Sequence, residues 1–390
     1  MNVLVDPQVT VAERHLPFEC IALVLQGGGA LGAYQAGVYE ALAEAGIHPN
    51  WIASMSIGAI NAAIIAGNPP NSRVDRLREF WTQVTADAPW SGLRNAYIGS
   101  APGDASRQLL NHMSAGFAMA SGAKGFFMAR PLPPWFQPLG TIEAASLYDT
   151  RDLKRTLERL VDFDLLNAGA IRFSAGAVNV RTGNFAYFDT TTHTIRAEHV
   201  MASGALPPGF PAIEIEGEQY WDGGLVSNTP LQWVVDAESR RDTLAFQVDL
   251  WSAHGEFPRN IFEVMTREKE IRYSSRTRAG TDQFKHLQKL RYALAGLLGK
   301  LGEDLKSGPE ARLLRSAADR TVYNIVHLVY RARTYEGHSK DYEFSRLSME
   351  EHWRAGYRDA RRTLRHPEVL ARPTSREGVF TFDLHKEGCD

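Results

Sequence analysis

Apolar runs of strand length alternate with runs of helical period along the first third of the chain. Residues 21–25 form an uninterrupted apolar run typical of a buried parallel strand, and residues 33–45 then carry apolar side chains at helical spacing up to Gly46. A second strand-like run precedes Ser56, and a small apolar helix is predicted over residues 59–66. This alternation predicts an α/β fold with a mostly parallel central sheet, helices on both faces and a site at the carboxyl ends of the strands.

The same alternation continues later in the chain. The pattern predicts a helix over 151–166, a hairpin of strands over 171–180 and 185–190, and strands over 243–250 and 321–330. The core is therefore predicted to run from residue 18 to about residue 335. A helical C-terminal extension with an irregular tail is predicted over residues 336–390.

Ser56 lies where the second strand-like run meets a helix-like run, in the sequence WIASMSIGAIN of residues 51–61. A sharp strand-to-helix turn is the usual position of a nucleophilic serine, because it exposes the hydroxyl at the positive end of a helix. The small residues Ser54 and Gly58 allow such a turn to close. The pattern predicts a nucleophile, but it also arises by chance in loops rich in alanine and glycine.

Glycines follow the first strand, in the sequence QGGGALG of residues 26–32. Unpaired backbone N–H groups in such a loop bind a negative oxygen at the start of a helix. The loop is interpreted either as an oxyanion hole or, from the Gly27-x-Gly29-x-x-Gly32 spacing, as a dinucleotide site. A dinucleotide site requires an acidic residue about 20 positions on, and the sequence has IHPNW there. The oxyanion hypothesis is therefore favoured, while Gly32 can also serve close helix packing.

Asp222 ends an aromatic strand and precedes two glycines, in the sequence YWDGGLVSNTP of residues 220–230. This position predicts a carboxylate at the end of a strand, on a loop that can pack closely against a neighbouring segment. An Asp-Gly pair alone is most often only a turn.

The three segments together resemble the patatin-like phospholipase family. Its pattern is a glycine-rich oxyanion loop, a Gly-x-Ser-x-Gly elbow and a late Asp-Gly-Gly loop. The sequence MASGALPPGFP of residues 201–211 is similar to the small-residue and proline segment ahead of the family's aspartate strand. The resemblance covers about residues 21–230. It implies that residues 18–335 are a catalytic domain, that the substrates are lipid acyl esters, and that no cofactor or metal is required.

The resemblance makes Ser56 the nucleophile and Asp222 its general base. It assigns the oxyanion hole to the backbone amides of Gly27, Gly28, Gly29 and Ala30. Two positions depart from the family pattern. Ser54 replaces the first glycine of the elbow, which introduces strain if its φ is positive. Leu31 stands where many relatives carry a basic residue, which puts a preference for anionic headgroups in doubt.

A Ser-His-Asp triad is the alternative arrangement, because a serine hydroxyl needs a positioned base at neutral pH. His254 is the best placed of the 12 histidines, directly after the strand predicted over 243–250. A histidine in such a loop is more often a solvated surface residue.

Composition excludes several other classes of protein. The 390 residues are 44% hydrophobic with a net charge of −2, which suits a globular fold and gives no basic field for nucleic acid. Cys20 and Cys389 provide neither a disulfide framework nor a metal cluster. Residues 1–17 lack a secretion signal, and no apolar run reaches the roughly 20 residues of a membrane span. A cytoplasmic or peripherally membrane-associated location is therefore expected.

Two segments carry expectations about lipid contact. Residues 89–139 are rich in glycine, methionine and aromatic residues and are predicted to be an insertion, either a lid or acyl-channel wall or an ordinary excursion packed on the core. The segment of about 260–318 is predicted to be helical, with nine basic and three acidic residues between positions 267 and 300 beside a leucine stripe. Such a helix binds an anionic membrane surface or packs on the domain.

The expected function is hydrolysis of lipid acyl esters through an acyl-enzyme. Two alternatives remain open. One is an esterase or acyl-thioesterase that acts on soluble substrates. The other, which the departure at Ser54 motivates, is a catalytically silent lipid-binding protein.

Overall fold

The computed structural model describes residues 14–85, 104–237, 240–274, 277–302, 308–373 and 378–384. Its strands are β1 (Cys20–Leu25), β2 (Trp51–Met55), β3 (Met128–Ala129), β4 (Tyr148–Asp149), β5 (Arg172–Asn179), β6 (Phe185–Asp189), β7 (Ile213–Ile215), β8 (Glu218–Asp222), β9 (Thr243–Asp249), β10 (Tyr323–Val329) and β11 (Val379–Phe382). Its helices are α1 (Ala33–Glu44), α2 (Ile57–Ala66), α3 (Arg73–Val84), α4 (Asp104–Ser121), α5 (Arg151–Leu160), α6 (Phe163–Asn167), α7 (Ala197–Ser203), α8 (Leu231–Val235), α9 (Ile261–Tyr273), α10 (Thr277–Lys300), α11 (Pro309–Ala317), α12 (Arg346–Thr363) and α13 (Pro367–Leu370).

Nine of the described strands form one sheet, in the order β11-β10-β9-β1-β2-β5-β8-β7, with β6 also paired to β5. The six strands from β11 to β5 are parallel. The pairs that involve β6, β7 and β8 are antiparallel. The prediction of a mostly parallel α/β sheet is confirmed. The predicted hairpin is also present and consists of β5 and β6.

Alternate side chains of the central strands pack into two separate hydrophobic cores, one on each face of the sheet. Leu23, Leu25 and Ile52 belong to a large core shared with α1, α2 and α12. Ala22 and Val24 point to the other face, where residues of α8 and α10 complete a smaller core. Because successive strand residues face opposite sides of a sheet, helices cover both faces and these strands are almost uniformly apolar.

Two strands meet end to end along one edge of β5. β2 runs parallel to β5 and ends with Met55 opposite Gly176, while β8 runs antiparallel and ends with Asp222 opposite Ala177. β6 occupies the other edge of β5 over the same residues. Because Gly176 and Ala177 are adjacent in β5, the end of β2 and the end of β8 lie next to each other.

The segment predicted as a helical C-terminal extension over residues 336–390 packs, in its described part, on the same core as the rest of the chain. β11 pairs with β10 in the central sheet. α12 buries Met349 and Trp353 in the large core. It approaches α1 so closely that a Cβ at Gly356 would lie 2.0 Å from the carbonyl oxygen of Tyr34. The tail of the chain thus supplies an edge strand and a core helix.

The basic segment predicted over 260–318 forms helices α9, α10 and α11 in its described part. α10 packs on the sheet, with the ring of Phe284 buried 5.0 Å from that of Tyr323. Three leucines of its stripe remain exposed, namely Leu287, Leu290 and Leu297. Among the described helices, none is both long and apolar enough to cross a bilayer.

We predict that Gly356→Ala destabilises the protein by about 3 kcal/mol, because the added methyl group forces α12 away from α1. Urea unfolding measures the change. Gly116→Ala is the matched control, since a Cβ there meets nothing within 4 Å on the exposed side of α4. It should be neutral or stabilising by up to about 1 kcal/mol. Equal effects of the two substitutions would contradict the close α1–α12 packing.

Candidate active site

Ser56 lies between β2 and α2 with φ 54° and ψ −124°. A positive φ is costly for a residue with a Cβ and is found where the surrounding structure enforces it, frequently at active sites. The backbone N–H of Ser56 donates to the buried Oγ of Ser203 at 3.0 Å, which helps hold this conformation. Gly58 follows where a Cβ would lie 2.6 Å from the Leu25 carbonyl oxygen. The sharp turn predicted for this serine is present.

Ser54 occupies an ordinary strand position in β2. It is not among the described non-glycine residues with positive φ, which are Ser56 and Glu216. Its hydroxyl donates to the carbonyl oxygen of Ser174 on β5 at 2.8 Å, and the side chain is buried. The departure from glycine at this position therefore introduces no backbone strain.

Asp222 reaches Ser56 from the end of β8. Its carboxylate accepts a hydrogen bond from the backbone N–H of Gly224 at 2.7 Å, and the Ser56 hydroxyl lies close enough to lower its pKa. The next residue, Gly223, allows this approach because a Cβ there would lie 2.4 Å from Met55 Sδ. Residues 56 and 222, far apart in sequence, thus lie together at the wall of one cavity.

Burial raises the pKa of Asp222 from 3.8 to about 6, and the Ser56 hydroxyl and the Gly224 N–H only partly oppose this effect. The side chain is 2% exposed, and ionisation without water is unfavourable. Asp222 is therefore a stronger base than an aspartate in water, but it is still ionised at neutral pH.

The glycine loop lies against the serine. A Cβ at Gly27 would be 2.9 Å from that of Ser56. The backbone N–H of Ala30 donates to the Asp341 carbonyl oxygen at 2.8 Å and is already occupied. The N–H groups of Gly28 and Gly29 have no acceptor among the described residues, so they remain available to an anionic oxygen.

Gly32 serves packing. A Cβ there would lie 2.6 Å from the Ile57 side chain and 2.9 Å from Trp81. This contact accounts for the third glycine of the dinucleotide-like spacing without a ligand. Within the described part of the chain, no group of three or more potential metal-ligating side chains occurs.

A cavity of about 400 Å³ opens beside Ser56 and Asp222. Much of its wall is aromatic: the rings of Phe126, Phe127, Tyr148, Phe210 and Phe344 contact one another at centroid distances of 5.0 to 6.1 Å. Two of these rings, Phe126 and Phe127, come from the predicted insertion over 89–139. That insertion is packed in the core at this point and forms cavity wall; its residues 89–103 lie outside the described part of the chain.

Sequence motifs did not indicate several residues that line the cavity. Trp251, Lys269, Tyr273 and Tyr342 come from segments after the aspartate loop. None has a distinctive neighbouring sequence, and the long-range folding of α9 and of the segment before α12 brings them to the site. Local sequence contains no signal for such contacts.

No described histidine lines this cavity. His254 is exposed in the loop after β9, where its backbone N–H contacts Ser252 Oγ. The triad alternative thus has no support from the geometry.

The α/β sheet, the serine turn and the buried carboxylate are features of α/β acyl hydrolases as a class. The chain matches the family model described as patatin-like phospholipase over residues 23–234, more than half of its length. It therefore belongs to the patatin-like phospholipase family. A second model, described as patatin phospholipase, matches residues 271–376 and crosses the predicted boundary at residue 335.

Two known proteins illustrate the similarity. The chain is 41% identical over 70 residues to patatin-like phospholipase domain-containing protein 7 of Rattus norvegicus, a match that covers 18% of this chain and 5% of that protein. It is also similar to the crystal structure of VipD from Legionella pneumophila, with 15% identity and a TM-score of 0.38 over 93% of this chain and 70% of that chain.

We predict that Asp222→Asn stabilises the protein at pH 8 by about 3 kcal/mol. The pKa of Asp222 is higher in the folded than in the unfolded state, so folding is favoured by the neutral carboxyl. This contribution is complete below pH 3.8 and is lost as the pH rises through about 6. Urea unfolding at pH 8 and pH 4 measures the gain, which should nearly vanish at pH 4.

Asp189→Asn is a matched control with the opposite sign. Burial alone would raise the pKa of Asp189, but hydrogen bonds from Arg172, Ser174 and Thr191 outweigh it and lower the pKa to about 2. Its replacement should therefore destabilise the protein at pH 8. A loss of stability in Asp222→Asn at pH 8 would contradict the assigned pKa.

Proposed function

We propose that the protein hydrolyses acyl esters of lipids, with Ser56 as nucleophile and Asp222 as general base. One observation carries the proposal: a serine in a strained turn lies beside a buried carboxylate, whose pKa its hydroxyl lowers, at the wall of an aromatic cavity. The membership of the chain in the patatin-like phospholipase family supports lipid esters as the substrate class.

In the first half of the reaction, Ser56 Oγ attacks the ester carbonyl carbon and its proton passes to Asp222. The raised pKa of Asp222 favours this transfer, because a base works best when its pKa is near the working pH. The carbonyl oxygen becomes negative and is stabilised by the N–H groups of Gly28 and Gly29. One preorganised donor of this kind lowers a barrier by roughly 3 kcal/mol. Asp222 then returns the proton to the alcohol, which leaves an acyl-Ser56 ester.

In the second half, a water molecule takes the place of the alcohol. Asp222 removes a proton from the water as its oxygen attacks the acyl carbon, and the same N–H groups stabilise the negative oxygen again. Collapse releases the fatty acid and restores the proton to Ser56. A single carboxylate serves both halves, so no histidine is required.

The aromatic wall supports a long acyl chain rather than a small acyl group. Phenyl rings at 5 to 6 Å from one another provide a dry surface on which methylene groups are buried, each contributing about 0.8 kcal/mol. A soluble esterase or thioesterase remains the second candidate, because the same dyad would cleave a short ester. The aromatic cavity favours the lipid.

Contact with a lipid surface is part of the proposal. Large apolar side chains are exposed in the loop after Asp222, at Leu225 and Val226, and in the segment before β4, at Trp135, Phe136 and Leu139. Exposed apolar patches of this kind mark contact surfaces for membranes or partners. A lipid aggregate would cover them while it delivers substrate to the cavity.

We predict that Ser56→Ala and Asp222→Asn each lower kcat/KM for a medium-chain ester by at least about 1,000-fold, since each removes a group that acts in both halves of the reaction. His254→Ala should retain most of the activity. Hydrolysis of p-nitrophenyl esters by the purified variants, with folding checked by circular dichroism, measures these effects. Inactivation by the histidine substitution alone would overturn the dyad.

A further inference from the structure

The cavity has a second, polar end formed by segments that follow the aspartate loop. The rings of Trp251 and Tyr273 lie 5.6 Å apart. Lys269 Nζ lies 4.9 Å from the ring centroid of Tyr342 and 5.9 Å from that of Trp251. Asp341 completes this group, which we call the polar end: Trp251, Lys269, Tyr273, Asp341 and Tyr342.

Lys269 and Asp341 form an ion pair in the polar end. Lys269 Nζ donates to Asp341 Oδ1 at 2.5 Å and to the His338 carbonyl oxygen at 3.3 Å. An ammonium group has three N–H donors, so these described partners leave one free. The two side chains are 23% and 18% exposed. The pair is therefore partly shielded from water but accessible from the cavity.

Lys269 is the one cationic side chain among the described residues that line the cavity. The glycine loop of residues 26–32 contains no basic residue, and Leu31 within it is buried in the core. The positive charge at the cavity wall is therefore supplied from α9. Since Asp341 is the acidic residue beside it, the ion pair as a whole is neutral and presents one charge of each sign.

The polar end is fixed to the active site by the backbone. The Tyr273 carbonyl oxygen, at the end of α9, accepts hydrogen bonds from Asn228 Nδ2 at 2.9 Å and from Gln26 Nε2 at 3.0 Å. Asn228 belongs to the aspartate loop and Gln26 precedes the oxyanion glycines. The Asp341 carbonyl oxygen holds the Ala30 N–H. A group bound here is therefore held at a defined position relative to Ser56.

We propose that the polar end is the headgroup subsite of the lipid substrate and that it selects a zwitterionic phosphodiester, with the phosphate on Lys269 and the headgroup amine on Asp341 and the aromatic rings. The inference rests on the proposed function, because it assigns the aromatic wall to the acyl chain. A phosphate accepts hydrogen bonds from an ammonium group. A cationic amine is attracted to a carboxylate and to the faces of tyrosine and tryptophan rings.

Neutral and anionic lipids fit this pair less well. A diacylglycerol offers no charge to replace either partner of the ion pair. A phosphatidylglycerol satisfies Lys269 but leaves Asp341 beside a negative headgroup without a cation. A zwitterionic headgroup supplies a phosphate for Lys269 and an amine for Asp341, so neither charge of the ion pair is left without a partner.

The test is binding to the Ser56→Ala protein, which needs no catalysis. Calorimetry with monomeric dihexanoyl-phosphatidylcholine, dihexanoyl-phosphatidylglycerol and dihexanoyl-glycerol compares the three headgroup classes. We expect phosphatidylcholine to bind tightest, by about tenfold or more over dihexanoyl-glycerol. In this background, Lys269→Gln should weaken both phospholipids about ten- to a hundredfold, and Lys269→Arg should restore part of the loss.

Asp341→Asn separates the two charges. It should weaken binding of phosphatidylcholine while leaving phosphatidylglycerol unchanged or tighter. Lys124→Gln is the matched control, because Lys124 is exposed and does not line the cavity; it should leave all three affinities unchanged. Equal affinity for the three lipids, or equal losses for all of them in Lys269→Gln, would overturn the proposal.

Turnover distinguishes this inference from the proposed function. In the active protein, Lys269→Gln should raise KM for phosphatidylcholine by at least about tenfold, whereas Lys124→Gln should leave it unchanged. A protein that cleaves p-nitrophenyl butyrate but shows no Lys269 effect on phosphatidylcholine contradicts the headgroup subsite alone. A protein that cleaves no ester contradicts the dyad, and the binding comparison then still decides the subsite.

Discussion

The placement of the Ser56 hydroxyl beside the buried carboxylate of Asp222 is the constraint on which the rest of the site depends. It joins two residues that the fold brings together by the end-to-end meeting of β2 and β8 along β5. No cation contributes to the pKa shift of Asp222; its carboxylate accepts a hydrogen bond from the Gly224 N–H, and the Ser56 hydroxyl nearby lowers its pKa. The negative charge of Asp222 therefore destabilises the folded protein, whereas the raised pKa makes the same side chain a stronger base. Such an opposition between stability and function is common at active sites.

The surrounding structure maintains this contact through backbone constraints. The Ser203 hydroxyl holds the N–H of Ser56 in its strained turn, and the close approach at Gly223 places the aspartate loop against β2. Gln26 connects three parts of the site, because its side chain bonds the N–H groups of Leu250 and Trp251 as well as Thr229 and the Tyr273 carbonyl. These hydrogen bonds tie the loops of the site to one another.

The sequence predicted the parallel sheet, the serine turn and the aspartate loop because each has a local signal. An apolar run, a small-x-Ser-x-Gly turn and an Asp-Gly-Gly loop all arise from steric rules within a few residues. The role of the C-terminal segment was missed, since strand β11 is only four residues long. The charged helix α12 is also polar on most of its surface, and its core contact depends on Gly37 and Gly356. Lys269 was counted as part of a basic run, and only its tertiary contacts indicate a place in the cavity.

Covalent labelling with a fluorophosphonate tests the central claim most directly, because the probe reacts only with an activated serine. Mass spectrometry of the labelled protein should place a single adduct on Ser56, and its rate of formation should rise with pH through an apparent pKa of about 6 as Asp222 ionises. The adduct should be absent in Asp222→Asn. An adduct on another serine, or a Ser56 labelling rate that is indifferent to Asp222, would contradict the account.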